Sequence, residues 1–216
     1  MKHHEIVGLG GERIVYPDPQ RPEQRVRKEK RDGQKEPPNS LRAKFYLTKI
    51  LHLLLPRNIP DIHRTDIRTD MQIVERKRLG EDHALLNEEV RRYEEGEDVS
   101  DELRERASQT KQKILGDARV ETLTGAFERL GVLVDAAAVN FGEDAEGNMV
   151  YVDTFEPWQK RKDGSLKPGF DARALQRALS GLEDAAHRDM GLRWLDRLNE
   201  ILSEEERRRG LGEKAA

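Results

Sequence analysis

The stretch Leu133-Val-Asp135-Ala-Ala-Ala-Val-Asn140-Phe-Gly-Glu-Asp-Ala-Glu-Gly-Asn-Met-Val-Tyr-Val-Asp153-Thr-Phe155 is the most informative part of the chain. An aspartate is followed five residues later by an asparagine, and a second aspartate closes the stretch. Glu146-Gly147-Asn148 is a hairpin turn signal, and Met149 to Val152 is a short apolar, β-branched run. The pattern predicts a strand that ends at Asp153, where a carboxylate is held rigidly. Asn140 is expected to begin the opposing strand or the loop that feeds it. A surface hairpin with solvated acids is the plain alternative for this stretch taken alone.

Working outward, the N-terminus reads Ile6-Val7, then Gly8-Leu-Gly10-Gly11, then Ile14-Val15-Tyr16. Apolar residues on both sides of the glycines predict strand, tight turn, strand. No helix follows, which argues against a dinucleotide-binding βα turn and against a Walker loop. Glycines at such a turn let backbone amides come close to a phosphate. Pro17 to Gln24 reads as a polar hairpin loop, and Arg25 to Lys28 as a third strand. Period-two alternation puts Val26 and Lys28 on one face, with Lys30 on the same face as the rival lysine. A solvated surface lysine is the plain alternative for either.

The ordered set G-x-G-G, V-x-K, D-x-x-x-x-N and Asp at a strand end resembles the protein kinase-like superfamily. The resemblance implies an α+β, two-lobed fold. Residues 1–79 would form an N-terminal lobe, a small antiparallel sheet with one helix at 41–54. Residues 80–216 would form a reduced, mainly helical C-terminal lobe holding a catalytic hairpin at 133–155. The implied activity is ATP- and magnesium-dependent transfer of the γ-phosphate to a hydroxyl acceptor, either a protein or a small molecule. Asp135 would orient or deprotonate that hydroxyl. Asn140 and Asp153 would hold the metal, as befits a cation that prefers hard oxygen ligands and few protein carboxylates. Lys28 would contact the α- and β-phosphates, beneath the backbone of Gly8, Gly10 and Gly11. Val15 would cover the adenine, and the backbone near Glu75 to Lys77 would face it.

Four positions depart from the family pattern. Leu133 stands where a His or Tyr is usual, Ala137 where a Lys is frequent, and Asp153-Thr154-Phe155 replaces Asp-Phe-Gly. The N-lobe helix normally carries an acid to pair with the phosphate-binding lysine, yet no acidic residue occurs between Ser40 and Leu55; Glu36 is the nearest. A pseudokinase or nucleotide-binding interaction module without turnover is therefore the alternative function. A purely structural helical adaptor is a third.

Bulk properties set further bounds. The 216 residues carry a net charge of −3 with 38% charged residues, which gives no general drive toward nucleic acid or anionic membrane. Absence of cysteine excludes disulfides, thiolate metal sites and cysteine nucleophiles. The longest apolar run, Ile50 to Leu55, is too short to span a bilayer and contains His52. A soluble, cytoplasmic protein is expected.

Elsewhere the periodicity is mostly helical. Asn39 or Ser40 is expected to cap the helix at 41–54, whose apolar face is Phe45, Leu47, Ile50, Leu51 and Leu54, with Pro56 ending it. Strands are expected at 64–68 and 71–76, and helices through 82–131, the last one stopped by Gly131. After Asp153, the basic Gly/Pro segment 160–169 occupies the place of an activation segment, and Trp158 is expected to pack in the core. Two more helices follow, the first capped by Asp171 and the second bearing Leu192, Leu195, Leu198 and Leu202. The tail from Ser203 is expected to fray. The six histidines are scattered without metal-ligand spacing.

Overall fold

The computed structural model describes residues 8–9, 13–30, 38–160 and 166–212. It is an α+β protein in which an antiparallel sheet occupies the N-terminal part. Strands β1 (Gly8–Leu9), β2 (Arg13–Pro17), β3 (Arg25–Lys30), β4 (Ile62–Asp66) and β5 (Met71–Glu75) lie in the order β1-β2-β3-β5-β4. Register places Val15 opposite Lys28, and Lys28 opposite Gln72. Alternation along these strands puts Val26, Ile62 and Val74 in a small apolar cluster with Val15 and Phe45 against it. At one end of the sheet, Arg13 reaches across to the β4–β5 turn. Its Nη2 lies 3.0 Å from Asp70 Oδ1, which helps hold Asp70 in a left-handed conformation, φ 52°.

Helix α1 (Pro38–Leu54) joins β3 to β4. It begins earlier than its sequence predicts. Pro38 fits the first turn, where its missing N–H is not needed. Asn39 and Ser40 are buried inside the helix, not capping it, and Asn39 Nδ2 donates to Glu205 Oε2 at 3.1 Å. Three helices follow the sheet: α2 (Glu81–Glu94), α3 (Asp101–Leu115) and α4 (Ala118–Arg129). Ser100 caps α3 by accepting from the Leu103 amide, and Asp117 caps α4 by accepting from Arg119. The charged outer face of α2 is internally paired, with Glu88 accepting from both Arg91 and Arg92.

A short 3₁₀ turn (Ala138–Asn140) leads into the hairpin β6 (Phe141–Glu143) and β7 (Met149–Tyr151). Gly147 takes φ 82° at the turn, while Asp144 Oδ1 accepts from the amides of Glu146 and Asn148. A second hairpin, β8 (Trp158–Lys160) and β9 (Leu166–Pro168), stands where the sequence reads as loop. Helix α5 (Ala172–Ser180) is capped by Asp171, and α6 (Ala185–Gly212) is one long helix. It runs through the segment expected to fray: Ser203 Oγ bonds the Asn199 carbonyl, and Asn39 reaches Glu205.

The main core crosses the boundary drawn at 79/80. Leu47, Ile50 and Leu51 of α1 share one buried cluster with Leu195, Leu198 and Leu202 of α6, and with Phe127, Phe141, Tyr151 and Phe155. Trp158 is partly buried against the same cluster. Among the described residues, no helix is long and apolar enough to cross a membrane.

Gly131 fixes the exit from α4. Its amide donates to the Glu128 carbonyl and the Val132 amide to that of Phe127, the paired bonds of a Schellman ending, with Gly131 at φ 67°. An added Cβ would stand 2.5 Å from Asp171 Cβ. Gly131→Ala is thus penalised twice, by its backbone conformation and by contact with the α5 cap. We expect a loss of about 2–4 kcal/mol in urea unfolding, beyond the usual penalty for a left-handed alanine.

Candidate functional site

A cavity of about 720 Å³ lies between the sheet and the helical part. Its size is that of a small-molecule or cofactor site. Val15, Lys28, Glu75, Asp135, Asn140 and Asp153 all line it. Of the other residues singled out by sequence, Gly8 lies in β1 paired with Val15, and Gly10 and Gly11 fall outside the described residues. Lys30 pairs in register with Arg13 at the strand end. Glu36 also falls outside the described residues.

The upper wall comes from the sheet. Val15, Val26 and Lys28 face inward because alternate residues of paired antiparallel strands share a face. Lys28 Nζ donates to the Val152 carbonyl at 2.7 Å. Burial pushes the Lys28 ammonium below its ordinary pKa; Asp153 opposes that shift and Arg13 adds to it. The ammonium is therefore poorly solvated, and an incoming anion would favour its charged form.

The lower wall comes from the stretch between α4 and β8. Asp135 opens a tight turn in which its Oδ1 accepts from the Ala137 amide at 3.1 Å. Asn140 Nδ2 donates to the Asp135 carbonyl at 3.0 Å, which ties the two residues together across that turn. That bond uses the amide nitrogen and leaves the side-chain oxygen of Asn140 as its available ligand atom. The Val152 amide then donates to the Asn140 carbonyl at 2.9 Å. Thus Asp135, Asn140, Val152 and Lys28 form one continuous chain of hydrogen bonds, with Asp153 next to its last link. Beneath it, burial raises the Tyr151 phenol pKa, and the Asp153 charge raises it further; the Asp135 backbone bonds the same hydroxyl.

The connector after β5 forms the back of the cavity. Glu75, Arg76, Lys77 and Leu79 line it. The Glu75 amide donates to the Asp61 carbonyl and the Arg76 amide to that of Gln24, so this backbone is anchored at both neighbours. Gly80 then donates to the Glu143 carbonyl at 2.9 Å, which joins the connector to the β6–β7 hairpin.

Several lining groups were not singled out by sequence, Arg13, His83 and Asn87 among them. Arg13 faces the cavity from β2, and its position one residue before Ile14 places it on the face of Val15. His83 and Asn87 face it from α2, one helical turn apart, with Asn87 Nδ2 2.9 Å from His83 Nδ1. Their i, i+4 spacing was visible, but two ordinary polar residues on a charged helix carry no marker of a cavity.

No protein-family model matches the chain, and a search of curated proteins returns no match.

Burial drops the His83 imidazole to about 4, with the Val139 backbone opposing the shift. The ring stays neutral in the folded protein while the unfolded chain protonates near 6.5. Stability from this group is complete above 6.5 and is lost as pH falls toward 4. Urea midpoints of wild type and His83→Gln, compared across that window, should diverge by up to about 3 kcal/mol, with the wild type falling faster. Parallel curves would show that the ring protonates freely in the fold.

Proposed function

We propose that the chain is an ATP- and magnesium-dependent phosphotransferase with a two-lobed, protein kinase-like arrangement and a reduced helical C-terminal lobe. The observation that carries this reading is convergence. Lysine, aspartate, asparagine and second aspartate come from β3, the turn after α4, the 3₁₀ turn and the bend two residues beyond β7, yet face one cavity. Their order in the sequence is the order in which the superfamily uses them.

The donor set suits the implied metal. Asp153 offers a carboxylate and Asn140 an amide oxygen, both hard, and magnesium commonly completes its shell with phosphate oxygens and water. Bound there, the cation would neutralise charge on the phosphates. The chain's own residues do the rest. Lys28 holds the α- and β-phosphates from above, while the apolar Val15 and Val26 exclude water from the base. Adenine would meet the backbone near Lys77, since the Glu75 and Arg76 amides are taken by Asp61 and Gln24. Asp135 receives the acceptor hydroxyl proton as that oxygen bonds to the γ-phosphorus and the bond to the β-phosphate oxygen breaks, releasing ADP. Phosphoryl transfer depends chiefly on such positioning and electrostatics.

Nucleotide binding without turnover is the second reading. It is favoured by Ala137, which places no cation two residues after Asp135 to stabilise γ-phosphate charge.

A thermal-shift titration with ATP, with and without magnesium, separates these readings. At a hundredfold excess over Kd the native state gains about 2.7 kcal/mol, a rise of several degrees. Asp153→Ala should lose the magnesium-dependent part, and Lys28→Met most of the response. Asp135→Ala should still bind but transfer phosphate at least about a hundredfold more slowly. Binding with no transfer to water, peptide or small hydroxyl acceptors supports the second reading. No shift at millimolar nucleotide removes both.

A further inference from the structure

Lys44 has no place in the site as the sequence reads it. It lies on α1 with Leu47 and Leu51, at spacings of three and four, inside a stripe that is otherwise apolar. It is 2% exposed. A buried ammonium is costly unless paired, and removing its partner leaves an uncompensated charge. Lys44 Nζ lies 2.5 Å from Glu156 Oε1. Glu156 is three residues beyond Asp153 and lines the same cavity.

Two lysines therefore hold the two ends of Val152–Glu156. Lys28, from the sheet, takes the Val152 carbonyl immediately before Asp153. Lys44, from the helix, takes the Glu156 carboxylate after it. The backbone at Glu156 is itself confined. A Cβ on Gly169 would stand 2.3 Å from the Glu156 carbonyl oxygen, so the two backbones touch. Gly169 also donates to the Pro157 carbonyl and accepts from the Leu133 amide, two residues before Asp135. Fixing Glu156 thus fixes the chain after the candidate metal ligand and next to the candidate base, while Lys28 fixes the side before it.

We propose that Lys44 is a positioning residue which, through Glu156, sets the Asp153 carboxylate for metal-dependent nucleotide binding, with helix and loop charges in the order cation on α1, anion on the loop. The inference rests on the nucleotide-site reading above. It gives α1 a link to the site although the helix carries no acid, and it places the exposed end of the link, Glu156, at the cavity.

The test uses the full chain and two readouts. Lys44→Met keeps the side-chain length while deleting the charge, so the helix stripe remains filled. In the protein without ligand, amide exchange across 153–156 should quicken about tenfold or more in this variant, with the urea midpoint held or raised. With ATP present, the magnesium concentration giving half the thermal shift should rise about 10–100-fold, while any shift without magnesium stays the same. The swap Lys44→Glu with Glu156→Lys should recover part of both effects, and Lys44→Glu alone should not. Unchanged exchange overturns the inference. So does faster exchange with an unchanged magnesium requirement, which would make the pair structural only. If wild type responds to magnesium and ATP and the variant responds identically, only this inference falls. If wild type gives no magnesium-dependent response, the nucleotide reading falls and takes the metal role of Lys44 with it.

Discussion

The aromatic cluster around Phe127 is the constraint on which the site depends. Phe127 meets Tyr151 at 5.4 Å and Phe155 at 5.6 Å between ring centroids, Tyr151 meets Phe155 at 5.2 Å, and Phe141 meets Tyr151 at 5.3 Å. Tyr151 and Phe155 stand two residues before and after Asp153. Both side chains are buried, so the carboxylate between them is held at the edge of the core and faces the cavity. Because the Tyr151 hydroxyl also meets the Asp135 backbone, one cluster sets the height of both acids. Each buried ring removes about 150–250 Å² from water, and each ring pair adds about 0.5–1.5 kcal/mol beyond that. Surface ion pairs such as Arg91–Glu88 contribute little, because solvent screens them. The rings, not the numerous surface charges, hold the floor of the cavity.

Electrostatics then decides what the cavity favours. Arg13 is paired with Asp70, and Lys44 with Glu156, so each of these buried cations has a carboxylate at contact distance. Lys28 is treated differently. Its contact is a carbonyl dipole, and Asp153 acts on it only through the wider field. Such a lysine gains more from an arriving anion than one already in a contact pair, because its desolvation has been incurred in folding. The acids below, Asp135 and Asp153, would repel that same anion unless a cation lies between them. On the proposed reading, a phosphate that brings a divalent metal would suit the two walls better than a bare phosphate.

Much of this was visible in the sequence wherever the signal was local. The β6–β7 hairpin follows from the Glu146-Gly147-Asn148 turn and the apolar, β-branched run Met149 to Val152, and the stop of α4 from Gly131. Asp171 caps the helix it precedes. Local rules failed where a distant partner competed. Asn39 and Ser40 are good capping residues, but α6 offers Asn39 a carboxylate, and burial of both residues draws the helix back to Pro38. The segment 203–212 is polar enough to fray, yet it stays helical, with Asn39 of α1 donating to Glu205. Residue types with a strong chemical signature in a recognisable order were singled out, and Lys28, Asp135, Asn140 and Asp153 line one cavity. Lys44 and Glu156 were not, since a lysine on a helix and a glutamate in a loop gain meaning only when the fold puts them 2.5 Å apart.

The packing of α1 limits how the two walls can move. A helix attached to a sheet alone can swing with it, carrying its charges toward or away from a lysine on the sheet. Here Leu47, Ile50 and Leu51 are fully buried in the cluster that includes α6 and Phe127. Withdrawing these three side chains would cost roughly 1.5–3 kcal/mol each. The sum approaches the whole stability of an ordinary domain, about 5–15 kcal/mol. Helix α1 therefore belongs mechanically to the helical part, and its Lys44 stays in register with Glu156. Among the described residues, the apolar contacts of strands β1 to β3 are the smaller set Val26, Ile62 and Val74 with Val15 and Phe45. The wall that carries Lys28 is thus held by less apolar burial than the floor that carries the acids.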